Sequence, residues 1–372
     1  MARALEANPA LTAARLRRAV NVAGLAVARE RLNPEASVEI EKETPKQAYG
    51  VAVPLELGGK RSKRIAISEA IVRSGEADLA ATIAQVRNDV RRAYFDALVA
   101  DTRLAILHEL RDLSTRVRDT AQTRFENGDV PRLEVLQAEL ARATAENDAT
   151  AAAGVLAAAR AKLNALLGLP LETEHRLSTS IEATDPVVTA AMLHLARRGS
   201  FELAVLDRRI EEQRARVELA KALRVPDVTP TATLTYDAEP EFTYGWRAGV
   251  AVTLPILTTH KAAVTVEESA LAQITAERQA TERRIDGDVT AASATAEAQR
   301  LAYVRYRDVI LPQAQQVEQM AQVSYELGQT GIAALLQALQ ASRDVRMRSL
   351  EAVSQFQSAI ADLERATGAV LP

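Results

Sequence analysis

The sequence predicts a mainly α-helical protein with a small β part, built from a duplicated long helical hairpin. Residues 62–126 contain no proline and space their apolar residues by three and four, as in a helix packed along another helix. The pattern returns 200 positions later, where residues 325–328 (Tyr-Glu-Leu-Gly) repeat residues 125–128 (Phe-Glu-Asn-Gly). Hydrophobic residues reach 48% but aromatic residues only 3%, which favours layered helices over a compact enzyme core.

The first repeat is predicted to span residues 1–168. Its opening helix ends near Asn33-Pro34, because the helical spacing of the residues changes there to an alternation with period two. Two stretches that alternate apolar and polar residues then predict a strand hairpin. The predicted elements are a helix at 5–32, strands at 35–43 and 48–57, the long helix at 60–126 and the return helix at 131–167.

The second repeat is predicted to span residues 200–372, after a connector at 169–199 that contains a short helical piece at 187–197. We expect this equatorial connector to pack on the outside of the helices. Pro312 is expected to kink the second long helix, because proline removes a hydrogen bond and crowds the preceding turn. The predicted elements are a helix at 201–223, strands at 228–237 and 243–256, the long helix at 260–327 and the return helix at 331–368.

Composition excludes several classes of function. A net charge of -3 is too balanced for a nucleic-acid partner, and the chain has no cysteine for a disulfide or a thiol nucleophile. The four histidines are scattered without metal-ligand spacing, and there is no phosphate loop or nucleophile elbow. We therefore predict no catalytic site, cofactor or metal site. The N-terminus lacks an apolar signal core, so a signal sequence is expected to be absent from this chain.

The strand hairpins supply four strands per chain, too few to close a barrel around a lumen. Three chains could form a twelve-stranded barrel that the long helices continue as a tube. The alternative is a small soluble sheet that caps a coiled coil. For the barrel, one face is predicted to meet lipid and the other the lumen. The lipid-facing set is Val38, Ile40, Val51, Val53, Leu234, Val250 and Val252; the lumen-facing set is Glu39, Glu41, Thr233, Arg247 and Thr253.

Several short segments together resemble the TolC-like outer-membrane efflux proteins over nearly the whole chain. They are residues 8–11 (Asn-Pro-Ala-Leu), 54–61 (Pro-Leu-Glu-Leu-Gly-Gly-Lys-Arg), the turn blocks 124–138 and 324–338, and the endings 163–168 and 363–368. Residues 33–35, 56–61 and 310–314 look most like the cobalt–zinc–cadmium efflux branch.

This resemblance implies a trimeric α-helical tunnel in the periplasm, continued by a shared 12-stranded β-barrel in the bacterial outer membrane. Such a duct conducts its substrate passively, here divalent heavy-metal cations, and is not an enzyme. The implied partners are two further copies, a periplasmic adaptor (membrane fusion) protein, an inner-membrane resistance-nodulation-division pump and outer-membrane lipid. The alternatives are a soluble coiled-coil scaffold, a duct for drugs or other small molecules, and the adaptor itself, although adaptors carry one hairpin and a run of small β domains.

The two interhelical turns are the candidate functional site, because helix ends leave backbone groups available to a docking partner. The residues predicted to contact the adaptor are Gly128, Val130, Leu133, Gly328, Gly331, Ile332 and Leu335. In the resembled family, acidic residues often narrow the tunnel just after the second turn, but that turn is followed here by Ala334 and Gln337. The predicted constriction is therefore formed by Glu134, Gln137 and Gln337.

A basic cluster at the start of the first long helix has two possible roles. Lys60, Arg61, Lys63 and Arg64 could bind lipid phosphates where the barrel meets the tunnel. They could equally form an ordinary solvated first turn of the helix.

Overall fold

The computed structural model describes residues 1–174, 177, 192–238, 240 and 242–368. The first part of the chain folds into short helices, a strand hairpin and a long helical hairpin. The elements are α1 (Ala2–Ala7), α2 (Pro9–Arg29), β1 (Glu35–Ile40), β2 (Gln47–Ala52), α3 (Lys60–Glu126) and α4 (Arg132–Leu167). With its 67 residues, α3 is roughly 100 Å long at ~1.5 Å per residue.

The second part of the chain follows the same order. The elements are α5 (Met192–Gly199), α6 (Phe201–Ala222), β3 (Val228–Ala238), β4 (Phe242–Val252), α7 (Lys261–Arg305), a π turn (Tyr306–Ile310), α8 (Leu311–Glu326) and α9 (Ile332–Thr367). Most of the connector predicted at 169–199 lies outside the described residues. Of the helical piece predicted at 187–197, the structure describes the part from Met192, and the helix there continues to Gly199.

The opening helix, predicted as one element over 5–32, is two helices. Pro9 begins α2, and Asn8 before it has an extended conformation, with φ -65° and ψ 126°. This break follows from the clash of a proline ring with a helical residue before it. The Asn8 side chain caps the new helix by accepting a hydrogen bond from the Ala10 N–H at 2.9 Å. The prediction of a continuous helix was therefore wrong at this position.

The four strands form one antiparallel sheet in the order β1-β2-β3-β4. The hairpin of each repeat contributes two strands, and the hairpins meet where β2 pairs with β3. One register row runs through Val38, Tyr49, Leu234 and Trp246, and the next row runs through Ser37, Gly50, Thr233 and Arg247. Within the described chain, β1 and β4 are the open edges of this sheet.

The two faces of the sheet differ in an unusual way, because the apolar face is the more exposed one. Trp246 is 77% exposed and Ile40 79% exposed, whereas Thr235 on the opposite face is 7% exposed. A water-soluble sheet shows the reverse pattern, with apolar residues turned toward a core. The register also separates the two predicted sets: Val38, Leu234 and Val250 share the apolar face, and Thr233 and Arg247 share the polar face.

Three of the predicted strands extend further at their C-terminal ends than the strands in the structure do. The first ends at Ile40 instead of residue 43, because the chain enters the turn there. The second ends at Ala52 instead of residue 57, because Pro54 has no N–H; pairing continues only as an isolated bridge between Leu55 and Val228. The fourth ends at Val252 instead of residue 256, because its partner Val228 is the first residue of β3.

The structure divides into two compact units, and both sequence repeats contribute to each. The sheet unit comprises Ala13–Ala81 and Phe201–Glu282. The helical unit comprises Met1–Thr12, Thr82–Ser200 and Arg283–Pro372. Each compact unit therefore contains segments of both repeats. The repeat boundaries near residues 168 and 200 stay a prediction from sequence.

The helix before Pro312 contains a π turn, while the kink expected there stays a prediction. Because Pro312 lacks an N–H, an α-helical carbonyl four residues earlier would lose its partner. In the π turn the Leu311 N–H instead reaches back five residues to the Tyr306 carbonyl. The helix predicted at 260–327 is therefore α7, the π turn and α8 in succession.

The core of the helical unit joins the two hairpins. Leu113 and Val117 of α3 pack in one buried cluster with Tyr325, Ile332 and Leu335. A partly buried ion pair lies on the same helices, where Arg346 contacts Glu318 at 3.1 Å. No described helix contains a stretch that is long and apolar enough to cross a membrane.

Candidate functional site

The two interhelical turns of the helical unit have the same backbone design. At the first turn, the N–H of Gly128 donates to the Phe125 carbonyl at 2.9 Å, and Asp129 donates to Arg124 at 2.9 Å. At the second turn the equivalent bonds are Gly328 to Tyr325 at 3.0 Å and Gln329 to Ser324 at 2.9 Å. These paired bonds form a Schellman motif, which ends a helix on a left-handed residue.

Glycine is required at both turns. Gly128 has φ 82° and Gly328 has φ 71°, values at which a side chain strains the backbone. The next helix then begins after an extended residue, Pro131 in the first turn and Gly331 in the second. Gly128 and Gly328 thus fix where the two long helices end.

Arg124 connects the first turn with the second. Its guanidinium donates a hydrogen bond to the Tyr325 carbonyl at 3.1 Å, and its central carbon lies 5.0 Å from the centre of the Tyr325 ring. The Tyr325 carbonyl therefore accepts from Arg124 as well as from Gly328. This contact satisfies the C-terminal end of α8 and places a cation over an aromatic face.

The Tyr325 side chain continues this connection toward α4. Its hydroxyl lies 3.5 Å from Glu134 Oε2, and the ring is 1% exposed. Burial raises the pKa of the Tyr325 hydroxyl, and the nearby Glu134 carboxylate raises it further, because both disfavour a phenolate. Arg124, Tyr325 and Glu134, which we call the tip triad, therefore join α3, α8 and α4.

The residues predicted to contact an adaptor fall into two groups. Gly128, Gly328 and Gly331 are exposed, Leu133 is 62% exposed and Val130 is half-buried. Ile332 and Leu335 are only 2% and 0% exposed, because they pack into the core between α3 and α8. These two side chains are therefore not accessible in the structure, and adaptor contact stays a prediction for all seven residues.

The residues of the predicted constriction also differ in their surroundings. Glu134 is half-buried and belongs to the tip triad, and a Cβ added to Gly331 would lie 3.8 Å from its Oε1. Gln137 is half-buried and Gln337 is exposed. The structure thus brings Glu134 close to the second turn, and whether the three residues narrow a tunnel stays a prediction.

Arg124 and Tyr325 were not predicted as site residues from the sequence. A signal existed, because aligning the repeats at their offset sets Arg124 against Ser324 and Tyr325 against Phe125. The Arg124 guanidinium and the Tyr325 hydroxyl are among the groups in which the two turns differ. Tyr325 is almost fully buried, while Phe125 is 38% exposed.

Two apolar stripes near the turns have no cover within the described chain. The α4 stripe follows helical spacing on one face, and the α8 stripe does the same. The α4 stripe is Leu133, Leu136 and Leu140, and the α8 stripe is Val317, Met320, Val323 and Leu327; all are exposed.

Each side chain of the basic cluster at the start of α3 forms an ion pair or hydrogen bond with a residue of the sheet unit. Lys60, for example, is 7% exposed at its side chain and lies 2.7 Å from Asp227. The pairs are Lys60 with Asp227, Arg61 with the Arg29 carbonyl, Lys63 with Glu218, and Arg64 with Glu56. Because each charge already has a partner, these contacts favour a structural role at this helix start over lipid phosphate binding.

No group of three or more histidine, aspartate or glutamate side chains able to hold a metal ion occurs in the described part of the chain. Of the four histidines, His175 lies outside that part, and the side chain of His194 is not described. His108 is exposed on α3, and His260 precedes α7 with φ 52°.

The chain is similar in sequence to one characterised resistance protein and similar in fold to solved outer membrane channels. The chain is 25% identical over 352 residues to the cobalt-zinc-cadmium resistance protein CzcC of Cupriavidus metallidurans, covering 93% of this chain and 83% of CzcC. Its fold is similar to the Campylobacter jejuni CmeC outer membrane channel, with 16% identity, a TM-score of 0.82 and coverage of 98% of this chain and 84% of CmeC.

A further structural neighbour is CusC, known from crystal structures that address folding and transmembrane channel formation. The identity is 17%, the TM-score 0.78 and the coverage 99% of this chain and 90% of CusC. The predicted mainly helical fold with a small sheet is confirmed, as is the resemblance to TolC-like proteins. Residues 1–169 and 192–369 match the family described as outer membrane efflux protein, and the chain belongs to that family.

Proposed function

We propose that this protein is the outer-membrane exit duct of a tripartite efflux system. Three copies form one channel, with a periplasmic helical tunnel and a shared barrel. The channel conducts divalent heavy-metal cations passively to the exterior and carries out no enzymatic reaction. A periplasmic adaptor and an inner-membrane resistance-nodulation-division pump deliver the cations.

The observation that carries the proposal is the exposed apolar face of the sheet. An apolar surface that includes Trp246 and Ile40 is unfavourable in water and favourable in a lipid bilayer. The opposite face carries threonine, glycine and Arg247, which suits a water-filled lumen. A soluble scaffold would place these faces the other way round.

Trimeric assembly is supported by the surfaces that a single chain leaves open. An unpaired strand edge costs hydrogen bonds in a membrane, so the edges at β1 and β4 need neighbours. Three copies of the sheet supply the twelve strands of a closed barrel. The exposed α8 stripe, together with Leu136 and Leu140 of the α4 stripe, would likewise be covered by packing between copies.

Adaptor docking at the two turns is supported by their exposure and their rigid backbone. Gly128, Gly328 and Leu133 are accessible, and the Schellman motifs hold both turns in one conformation. The tip triad lies directly behind the turns. Docking that separates Arg124 from Tyr325 would release α8 from α3 and widen the end of the tunnel.

The metal substrate is supported by the similarity to CzcC, which is named for cobalt, zinc and cadmium resistance. A duct needs no tight metal site, because strong binding would hold the cargo back. The half-buried Glu134 can attract a cation near the turns without coordinating it tightly.

The test is export of metal by cells that carry the pump and the adaptor with or without this protein. We expect the complete system to localise the chain to the outer membrane and to lower cell-associated zinc, cobalt and cadmium severalfold. Recovery of the chain in the soluble fraction would favour the scaffold. Export of dyes or antibiotics with unchanged metal levels would favour a drug duct.

A variant at the turns separates export from assembly. Replacing Gly128 and Gly328 together by valine strains both left-handed positions. We expect trimers to insert but adaptor binding and export to fail. Gly154→Val on the open surface of α4 is the matched control, because a side chain there meets nothing within 4 Å.

A further inference from the structure

The charges of the sheet's polar face are concentrated on its two edge strands. β1 carries Glu35 and Glu39, and Glu41 continues the alternation just past the strand end, where its N–H donates to the Lys46 carbonyl at 2.9 Å. We call these three glutamates the acidic row. At the other edge, Arg247 is the only charged residue in the sequence of β4. The acidic row and Arg247 are exposed, and the described residues give them no ion-pair partner.

Arg247 cannot reach the acidic row of its own chain. β2 and β3 lie between β1 and β4, so three strand spacings of ~4.8 Å separate the two edges. The register partner of Arg247 is Thr233, which is uncharged. Asp237, the only charged residue in the sequence of β2 and β3, is four positions further along the strand, or ~13 Å. Within one chain these charges therefore stay apart.

Charge also distinguishes the possible ways of joining two sheet edges. Pairing β1 with β1 would place two acidic rows side by side, and pairing β4 with β4 would place one Arg247 near another. Both arrangements are disfavoured by like charges on neighbouring strands. Pairing β4 of one copy with β1 of the next brings opposite charges onto the same face. This head-to-tail contact is the kind that closes into a ring.

We propose that Arg247 of one copy forms an ion pair with the acidic row of the next copy, on the lumen side of the junction between their sheets. This inference rests on the proposed function, because it requires a ring of copies. The ion pair favours the head-to-tail junction over the two junctions that bring like charges together. A barrel staggers the strands by an amount that one chain does not reveal. Because glutamate occupies same-face positions 35, 39 and 41, Arg247 meets a carboxylate over a range of staggers.

The test is charge reversal in the full chain, with trimer stability in detergent as the readout. Arg247→Glu places a carboxylate against the acidic row and should raise trimer dissociation roughly tenfold. Adding Glu35→Lys, Glu39→Lys and Glu41→Lys to that variant should restore wild-type stability. Thr229→Glu is the matched control, since it adds a charge to the same face on an inner strand, opposite the uncharged Ala251 and four positions from the register partner of Arg247, and should leave trimers intact.

Disulfide trapping tests the contact directly, because the chain has no native cysteine. Arg247→Cys combined with cysteine at 35, 39 or 41 should give cross-linked oligomers for at least one pair, whereas Arg247→Cys with Thr233→Cys should give none between copies. Stable Arg247→Glu trimers, or no cross-link for any of the three pairs, would overturn the inference. A wild-type protein that is monomeric in detergent would instead overturn the trimeric duct itself.

Discussion

The Arg124 guanidinium donates a hydrogen bond at 3.1 Å to the backbone carbonyl of Tyr325, a residue 201 positions later in the chain. The bond joins the end of the first long helix to the end of the second. The Tyr325 carbonyl lies at the end of α8, where it also accepts a hydrogen bond from the Gly328 N–H. Without Arg124, its remaining hydrogen-bonding capacity would be left to solvent. One side chain therefore couples the two turns at which a partner is proposed to dock.

Arg124→Ala is expected to lower the free energy of unfolding by ~1–2 kcal/mol, because it removes a charged hydrogen bond and a cation over the Tyr325 ring. It should also raise single-channel conductance in planar bilayers by loosening α8 from α3. Thermal unfolding in detergent and bilayer recording measure the two effects. Arg132→Ala, which removes an exposed arginine at the start of α4, is the control and should change unfolding little. Equal behaviour of the two variants would contradict the role given to Arg124.

Tyr325 is expected to ionise at a higher pH than an ordinary tyrosine, because burial and Glu134 raise its pKa from 10.0. A raised pKa in the folded state means that the folded protein binds this proton more tightly. Its contribution to stability is present below the unfolded pKa near 10 and declines as pH rises toward the folded value. Tyrosinate absorbance should show a late-titrating group in wild type that Tyr325→Phe removes. Glu134→Gln should move that group to lower pH, and persistence of the late group in Tyr325→Phe would refute the assignment.

Gly368, the left-handed residue after α9, is expected to tolerate no side chain. It has φ 67°, and an added Cβ would lie 2.1 Å from the Gly199 carbonyl oxygen. Gly368→Ala should therefore lower the unfolding free energy by at least about 2 kcal/mol, through backbone strain and the clash together. Gly154→Ala, inside α4 with open space around it, should instead stabilise by ~0.5–1 kcal/mol. Thermal unfolding of both variants is the measurement, and destabilisation of similar size in both would count against this explanation.

The long elements were predictable from sequence because their signals are local and repeated. The spacing of apolar residues over 62–126 and the glycines at 128 and 328 determine where α3 and α8 end. The break at Asn8 was missed although Pro9 signals it, because the apolar spacing continues across the break. The strand ends were missed because they depend on partners: β4 ends where β3 begins, which its own alternation does not show.

The site was only partly predictable for a similar reason. Exposure of Leu133 and burial of Ile332 depend on which neighbouring helix packs over each turn, and the local sequence of a turn does not show that packing. Aligning the repeats marks Arg124 and Tyr325 as positions at which the repeats differ, but it does not show that these two residues contact each other. The tip triad joins residues that are up to 201 positions apart, and such a contact is visible only in the fold.

The last prediction concerns the two faces of the sheet. Val250 lies on the exposed apolar face of β4, and Thr231 lies on the opposite face, between the small residues Ala52 and Gly249. Val250→Arg should place a charge in lipid and lower barrel stability by ~2–4 kcal/mol near the membrane midplane, while Thr231→Arg should place it in water at little cost. Heating trimers in detergent and scoring the fraction that refolds into vesicles measures both. If Thr231→Arg abolished assembly while Val250→Arg assembled like wild type, the apolar face would have to line the interior, and the lipid assignment of this sheet would be reversed.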